Sequence, residues 1–113
     1  MDTYGLAGYY DECGAIYQIA PPKVNMCLMP RQWQSYDISY RFPRMDRDGR
    51  LTEAPRITVN HNGVLIHKDL DLPYSESALR MRRERPESRK VGRIKLQDHG
   101  YPVEYRNIWI VEK

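Results

Sequence analysis

The chain has 113 residues, of which 41% are hydrophobic and 29% charged, and carries a net charge of +3 at pH 7. That is one domain's worth of polypeptide. It holds no apolar run of membrane-spanning length and no signal-peptide pattern, so no membrane partner is expected. Taken as written the chain reads as cytoplasmic; a true start further upstream, with a signal peptide, would make it secreted or periplasmic. The positive charge is concentrated. Glu76 to Lys95 carries an excess of +5, larger than that of the whole chain. This stretch has no aromatic ring on which a base could stack, so it reads as a solvated basic loop and nucleic acid is not expected as a partner. Cys13 and Cys27 are the only cysteines. Without a CxxC pair or a nearby His pair they make a poor zinc site. Free buried thiols are the default, and one disulfide is the alternative for an exported protein.

In chain order, Asp2 to Glu12 is rich in Gly and Tyr without a period and reads as a loop. Cys13 to Gln18 is a short strand candidate, ended by Pro21 and Pro22, which cannot hold a central ladder. Val24 to Pro30 is an apolar connector. Gln32 to Phe42 is the strongest strand, with Gln34, Tyr36, Ile38, Tyr40 and Phe42 on one face and Trp33, Ser35, Asp37, Ser39 and Arg41 on the other. That alternation marks a sheet with one face toward a core, and Asp37 and Arg41 read as an exposed charge pair. Asp46-Arg47-Asp48-Gly49 is a turn. Arg56 to Asn60 turns Ile57 and Val59 inward. Asn62-Gly63 then signals a type I′ hairpin, with Val64 to Asp69 as the return strand. His61 and His67 lack clear metal-ligand spacing and read as surface residues. Ser77 to Arg85 could make a short helix, but Ala78, Leu79 and Met81 form no helical stripe, so about 74–92 is read as a basic insertion loop.

Ile94 to His99 alternates again, with Ile94, Leu96 and Asp98 on one side and Lys95, Gln97 and His99 on the other. Gly100 and Pro102 break it, and a second strand is expected from Tyr105 to Val111. Gln97, Asp98, His99, Arg106 and Asn107 would then crowd one end of a hairpin. On spacing alone the plainer reading is a satisfied turn, with Asp98 bonding nearby amides. The tally is about six strands punctuated by turns, an all-β fold built as an antiparallel sandwich or barrel.

Five pieces of sequence occur in order: Cys13-Gly14-Ala15-Ile16-Tyr17, Trp33-Gln34-Ser35-Tyr36-Asp37-Ile38, Arg56 to Val59 with Asn62-Gly63-Val64, Leu96 to Gly100, and Tyr105-Arg106-Asn107-Ile108-Trp109. Together they resemble the 3-keto-disaccharide hydrolase domain family. The resemblance implies a concanavalin A-like jelly roll, an antiparallel β-sandwich spanning residues 1–113 as one domain. Met1 to Gly5 resembles the end of a family segment whose upstream strands have no counterpart here. The expectation is therefore the C-terminal part of the domain, incomplete at its N-terminus, partnered by the missing half or by a second copy. The Arg-rich stretch from Arg80 to Lys90 is longer and more basic than the family's usual Gly-rich connection.

The implied activity is cleavage of glycosides already oxidised at C3 of the sugar. The ketone acidifies the C2 proton, so a modest base can remove it. The enolate expels the group at C1, and water adds back. Such a site needs a base, a stabiliser for the enolate oxygen and an acid for the leaving oxygen. On this resemblance the catalytic candidates are His99, as an imidazole suited to proton transfer near neutrality, Gln97 on the same face, and Asp2 as a carboxylate partner or metal ligand. Tyr17 and Trp33 offer rings for a sugar, and Asn25 and Arg106 offer hydrogen bonds. A divalent metal is the open alternative for polarising the ketone, with no ligands assigned. The expected ligand is a carbohydrate, a 3-keto-glycoside; the competing reading is a carbohydrate-binding lectin-like module without chemistry, or an inactive fragment.

Overall fold

The computed structural model describes residues 9–10, 12–84 and 94–113. Within them lie strands β1 (Tyr36–Arg41), β2 (Arg44–Met45), β3 (Leu51–Glu53), β4 (Arg56–His61) and β5 (Val64–Asp71), and one helix, α1 (Glu76–Glu84). The fold is all-β and antiparallel apart from that helix: β1-β4-β5 make a three-stranded sheet and β2-β3 a two-stranded one.

The β4–β5 hairpin forms where Asn62-Gly63 predicts it. Both residues take the left-handed conformation, with φ of 51° and 79°, as a type I′ turn requires. Asn62 does more than turn the chain. Its side-chain carbonyl accepts from the Ser35 amide at 2.9 Å, and its side-chain amide donates to the Met26 carbonyl at 2.7 Å. The hairpin tip thereby ties down two other segments. The Asp46 turn is also as expected, with one carboxylate oxygen accepting from the Asp48 and Arg50 amides at 2.9 Å. It closes the small β2–β3 hairpin, whose two- and three-residue strands are too short to show a period.

β1 pairs with β4 so that Ile38 faces Val59 and Tyr36 faces His61. Directly opposed residues share a sheet face, so the apolar side of β1 is the side on which Val59 is buried. The burial itself departs from expectation. Val59 is 4% exposed, whereas Ile38 is 59% exposed and Tyr36, Tyr40 and Phe42 are about half exposed. The cover over this face is the segment from Glu12 to Val24. It crosses β4 and β5, where the Lys23 amide donates to the Ile66 carbonyl and His67 bonds the Gly14 carbonyl, and it meets β1 at its first residue, Tyr36. Among the described residues the buried core consists of Val59, Ile66 and Leu79, joined by the buried Pro22, Pro43 and Pro55. The radius of gyration of 16.0 Å exceeds the roughly 13 Å of a compact domain this long, which fits so small a core.

Three local expectations are corrected. Cys13 to Gln18 is not a strand: Ile16 and Ala20 exchange backbone hydrogen bonds, so the chain doubles back within five residues. The stretch read as insertion loop contains α1, started by the Ser75 carbonyl accepting from the Leu79 amide, with Glu76 in the first turn where the helix dipole favours an anion. Leu79, 5% exposed, anchors it, so one residue does the work of a stripe. Residues 94–111 form neither of the two strands expected. A period of two is a property of the segment, but a ladder needs a neighbouring strand, and among the described residues none pairs with it.

Gly14 sits against the core with φ of 84°, and a Cβ there would lie 3.1 Å from Ile66 Cδ1. Gly14→Ala is expected to lower stability by about 1–2 kcal/mol from backbone strain alone. Urea unfolding followed by Trp fluorescence measures this, and an unchanged midpoint would contradict the packing described.

Candidate functional site

The two catalytic candidates on the C-terminal arm meet. Gln97 Nε2 lies 2.6 Å from His99 Nε2. An amide nitrogen only donates, so in this arrangement His99 Nε2 accepts and the ring proton sits on Nδ1. The local chain holds them without a ladder. Asp98 turns away to accept from the Gly100 amide at 2.8 Å, Gly100 takes φ of 79°, and the Tyr105 hydroxyl donates to the Gln97 carbonyl at 2.8 Å. The turn expected at Asp98 is therefore present, and Tyr105 closes a wider loop around it.

Two of the binding candidates also meet. The Arg106 guanidinium lies 3.8 Å over the centre of the Trp33 ring, a cation–π stack joining the C-terminal arm to the approach to β1. Trp33 keeps 46% of its surface exposed. Tyr17 and Asn25 are engaged elsewhere. Tyr17 is exposed and its hydroxyl accepts from the neighbouring Gln18 side chain at 3.3 Å, while Asn25 Oδ1 caps its own turn by accepting from the Cys27 amide at 2.9 Å. Asp2 lies outside the described residues. Among the described residues no group of three or more His, Cys, Asp or Glu side chains could hold a metal ion.

The sequence reading missed a buried polar cluster beneath the hairpin. His61 and His67, expected at the surface, are 0% and 4% exposed. His61 stacks on Tyr36 with ring centres 4.3 Å apart, and its Nε2 lies 2.9 Å from Gln34 Oε1. That oxygen also accepts from the Leu28 amide at 3.1 Å. A carbonyl only accepts, so Nε2 carries the proton. Nδ1 is buried beside Gly14 with no hydrogen-bond partner among the described residues. His67 Nε2 bonds the Gly14 carbonyl at 2.7 Å. Each imidazole is bought into the interior by one fixed acceptor. The available signal was parity: Gln34 and Tyr36 share one side of the alternating pattern that runs into β1, and His61 is the residue that registers opposite Tyr36. Burial of Tyr36 pushes its hydroxyl pKa well up, with Cys13, whose Sγ lies 3.8 Å away, adding to the effect.

Burial likewise lowers the His61 pKa, favouring the neutral ring. The unfolded chain's imidazole takes up a proton near pH 6.5, so below that value the unfolded state binds more protons. Stability is expected to be full above about pH 6.5 and to fall as pH drops from there toward the lowered folded pKa. Urea midpoints between pH 7.5 and 5 would show the slope, and His61→Phe, which keeps a ring against Tyr36, is expected to flatten it.

At the opposite end of the three-stranded sheet from the Asn62 hairpin, a polar cleft of about 310 Å³ is lined by Arg41, Thr52, Glu53, Ala54, Arg56 and Asp71. None of the residues singled out from the sequence as site candidates belongs to it. Arg41, read as the partner of Asp37, instead pairs with Glu53 at 3.7 Å, because β2–β3 brings that carboxylate to the end of β1.

Comparison with known proteins is decisive on one point. The family model described as the 3-keto-alpha-glucoside-1,2-lyase-like domain matches residues 1–111. The chain belongs to this family. Among solved structures, the domain is similar to a crystal structure from Parabacteroides distasonis ATCC 8503, a "putative glycosyl hydrolase", at 26% identity and a TM-score of 0.57. The alignment covers 88% of this chain and 38% of the other, so the domain spans well under half the length of that neighbour. The likeness supports the antiparallel β-sandwich class. No curated protein matches the chain.

Proposed function

We propose that this lyase-like domain acts on glycosides, cleaving 3-keto-glycosides by proton abstraction at C2. The observation that carries the reading is the match of the lyase-like family model along residues 1–111; the Gln97–His99 pair, 2.6 Å apart on an exposed loop, supplies the groups. In the first step the C2–H bond breaks and its proton passes to His99. The C1–O bond then breaks, its electron pair leaving on the aglycone oxygen, which takes the proton that His99 now carries. The product carries a C1=C2 double bond conjugated with the C3 ketone. Water then adds, hydroxyl to C1 and hydrogen to C2. For His99 to be the base, Gln97 turns its amide so that its oxygen accepts from Nε2–H, freeing the Nδ1 lone pair; the two amide orientations are the same shape. Gln97 then favours the basic ring, and Trp33 with Arg106 over one face is the platform proposed for the sugar. The test is turnover. A 3-keto-disaccharide should release its aglycone sugar, and the unoxidised parent, whose C2 proton is not acidic, should not.

The exposed apolar surface supports a second part of the reading. Ile94, Tyr101, Ile108, Trp109, Ile110 and Val111 on the C-terminal arm are each more than half exposed. Apolar surface on this scale marks an interaction site. We propose that further β-structure covers it, from additional family-like polypeptide or from a second copy. Sedimentation of the chain separates these: a dimer shows a second copy, and a monomer leaves the surface to additional polypeptide.

A further inference from the structure

The cleft at the end of the sheet stands apart from the residues just assigned. The register puts Arg41 directly opposite Arg56 and Arg56 opposite Asp71, a row across β1, β4 and β5. Like charges directly opposed in a sheet are destabilising, so the row calls for an anion. Asp71 meets part of that need: its Oδ1 accepts from Arg56 Nε at 2.7 Å. Arg41 is worse served. Its one carboxylate, Glu53, lies 3.7 Å from Nη1 and is shared with Arg44, whose Nε is 3.2 Å from the same oxygen. Both contacts lie within ion-pair range, yet that Glu53 oxygen has no hydrogen bond of acceptable geometry. Arg41 Nη2 donates to the Ala54 carbonyl at 3.2 Å, and its Nε is buried with no partner among the described residues. Arg56 uses only Nε, leaving its two terminal nitrogens without a protein acceptor among the described residues. The cleft of about 310 Å³ is walled by the guanidinium groups of Arg41 and Arg56 and the carboxylates of Glu53 and Asp71, so its charges balance, and what it offers an anion is the unused nitrogens of the two guanidinium groups.

We propose that this cleft binds the carboxylate group of a small organic monoanion, held between the Arg41 and Arg56 guanidinium groups. The planar fork of a guanidinium matches a carboxylate in two parallel hydrogen bonds. The nitrogens left unused on Arg41 and Arg56 suit one carboxylate, and Glu53 and Asp71 on the cleft wall disfavour the higher charge of a dianion such as phosphate. The carboxylate comes either from a free acid or from an acidic sugar, and the site is independent of the glycoside-cleaving reading. The test titrates the labelled full chain with acetate, with glucuronate and with neutral glucose at matched ionic strength, following the arginine side-chain Nε–H NMR signals. Acetate and glucuronate should each shift the Arg41 and Arg56 signals saturably, and glucose should not. Tighter binding of glucuronate than of acetate identifies an acidic sugar, and equal binding a free acid. Arg41→Lys and Arg56→Lys keep the charge but lose the fork; each should weaken binding about tenfold or more, the value of a charge-assisted hydrogen bond. No saturable shift with either acid, or equal affinity in both lysine variants, would overturn the proposal.

Discussion

His99→Ala is expected to lower turnover of a 3-keto-glycoside by about 10²- to 10⁴-fold, the usual worth of a positioned general base. The effect should fall on kcat, because the imidazole acts on the C2 proton while the proposed sugar platform, Trp33 stacked with Arg106 at 3.8 Å, is untouched. The residue is exposed and its neighbours are held by bonds of their own, Asp98 to Gly100 and Tyr105 to the Gln97 carbonyl. The variant should therefore unfold at the wild-type temperature. Single-turnover kinetics alongside thermal unfolding checks both halves. Turnover equal to wild type would remove His99 from the chemistry and place the base on another group.

Ile66→Ala should have the largest effect on stability. Ile66 is 0% exposed, less than either Val59 or Leu79, the other hydrophobic core residues among the described residues. Its Cδ1 fills the space against Gly14, so truncation opens a cavity where the covering segment meets the sheet. Such truncations cost about 2–5 kcal/mol, a large share of the roughly 5–15 kcal/mol that holds a domain together. The expected outcome is a fall in melting temperature of about 10 °C or more, at several degrees per kcal/mol. Ile66→Val should lose far less, about 0.5–1.5 kcal/mol. Equal losses in the two variants would mean that the cavity is not the cause.

Local chemistry was readable where local rules decide the outcome. Asn62-Gly63 dictated its own turn, Asp46 and Asp98 closed theirs, and the alternation along β1 and β4 gave the correct face to Ile38 and Val59. What that alternation could not give is cover. Ile38 and Val59 share a face, yet one is open and the other shut, because burial depends on where the Glu12 to Val24 segment lies. The same limit applies to residues 94–111, whose pattern reads as strand but whose ladder requires another chain segment. His61 and His67 misled for a different reason. A polar residue is assigned to the surface by default, and only the three-dimensional placement of Gln34 Oε1 and the Gly14 carbonyl makes their burial affordable. At the site, Gln97 with His99 and Trp33 with Arg106 were each chosen from sequence and each pair is in contact, the second across 73 positions. Tyr17 and Asn25 rest on the same side-chain reasoning as Trp33 and Arg106, and the side-chain bonds described for them reach residues one and two positions away.

The central chemical claim is that carbon–hydrogen bond breaking at C2 precedes loss of the group at C1. Running the reaction on a 3-keto-disaccharide in D₂O, with substrate alone as the control for spontaneous exchange, tests it directly. Deuterium at C2 of every molecule of released 3-keto sugar is the predicted result. Sugar released with its original C2 hydrogen, in the same time and with exchange absent from the control, would contradict it.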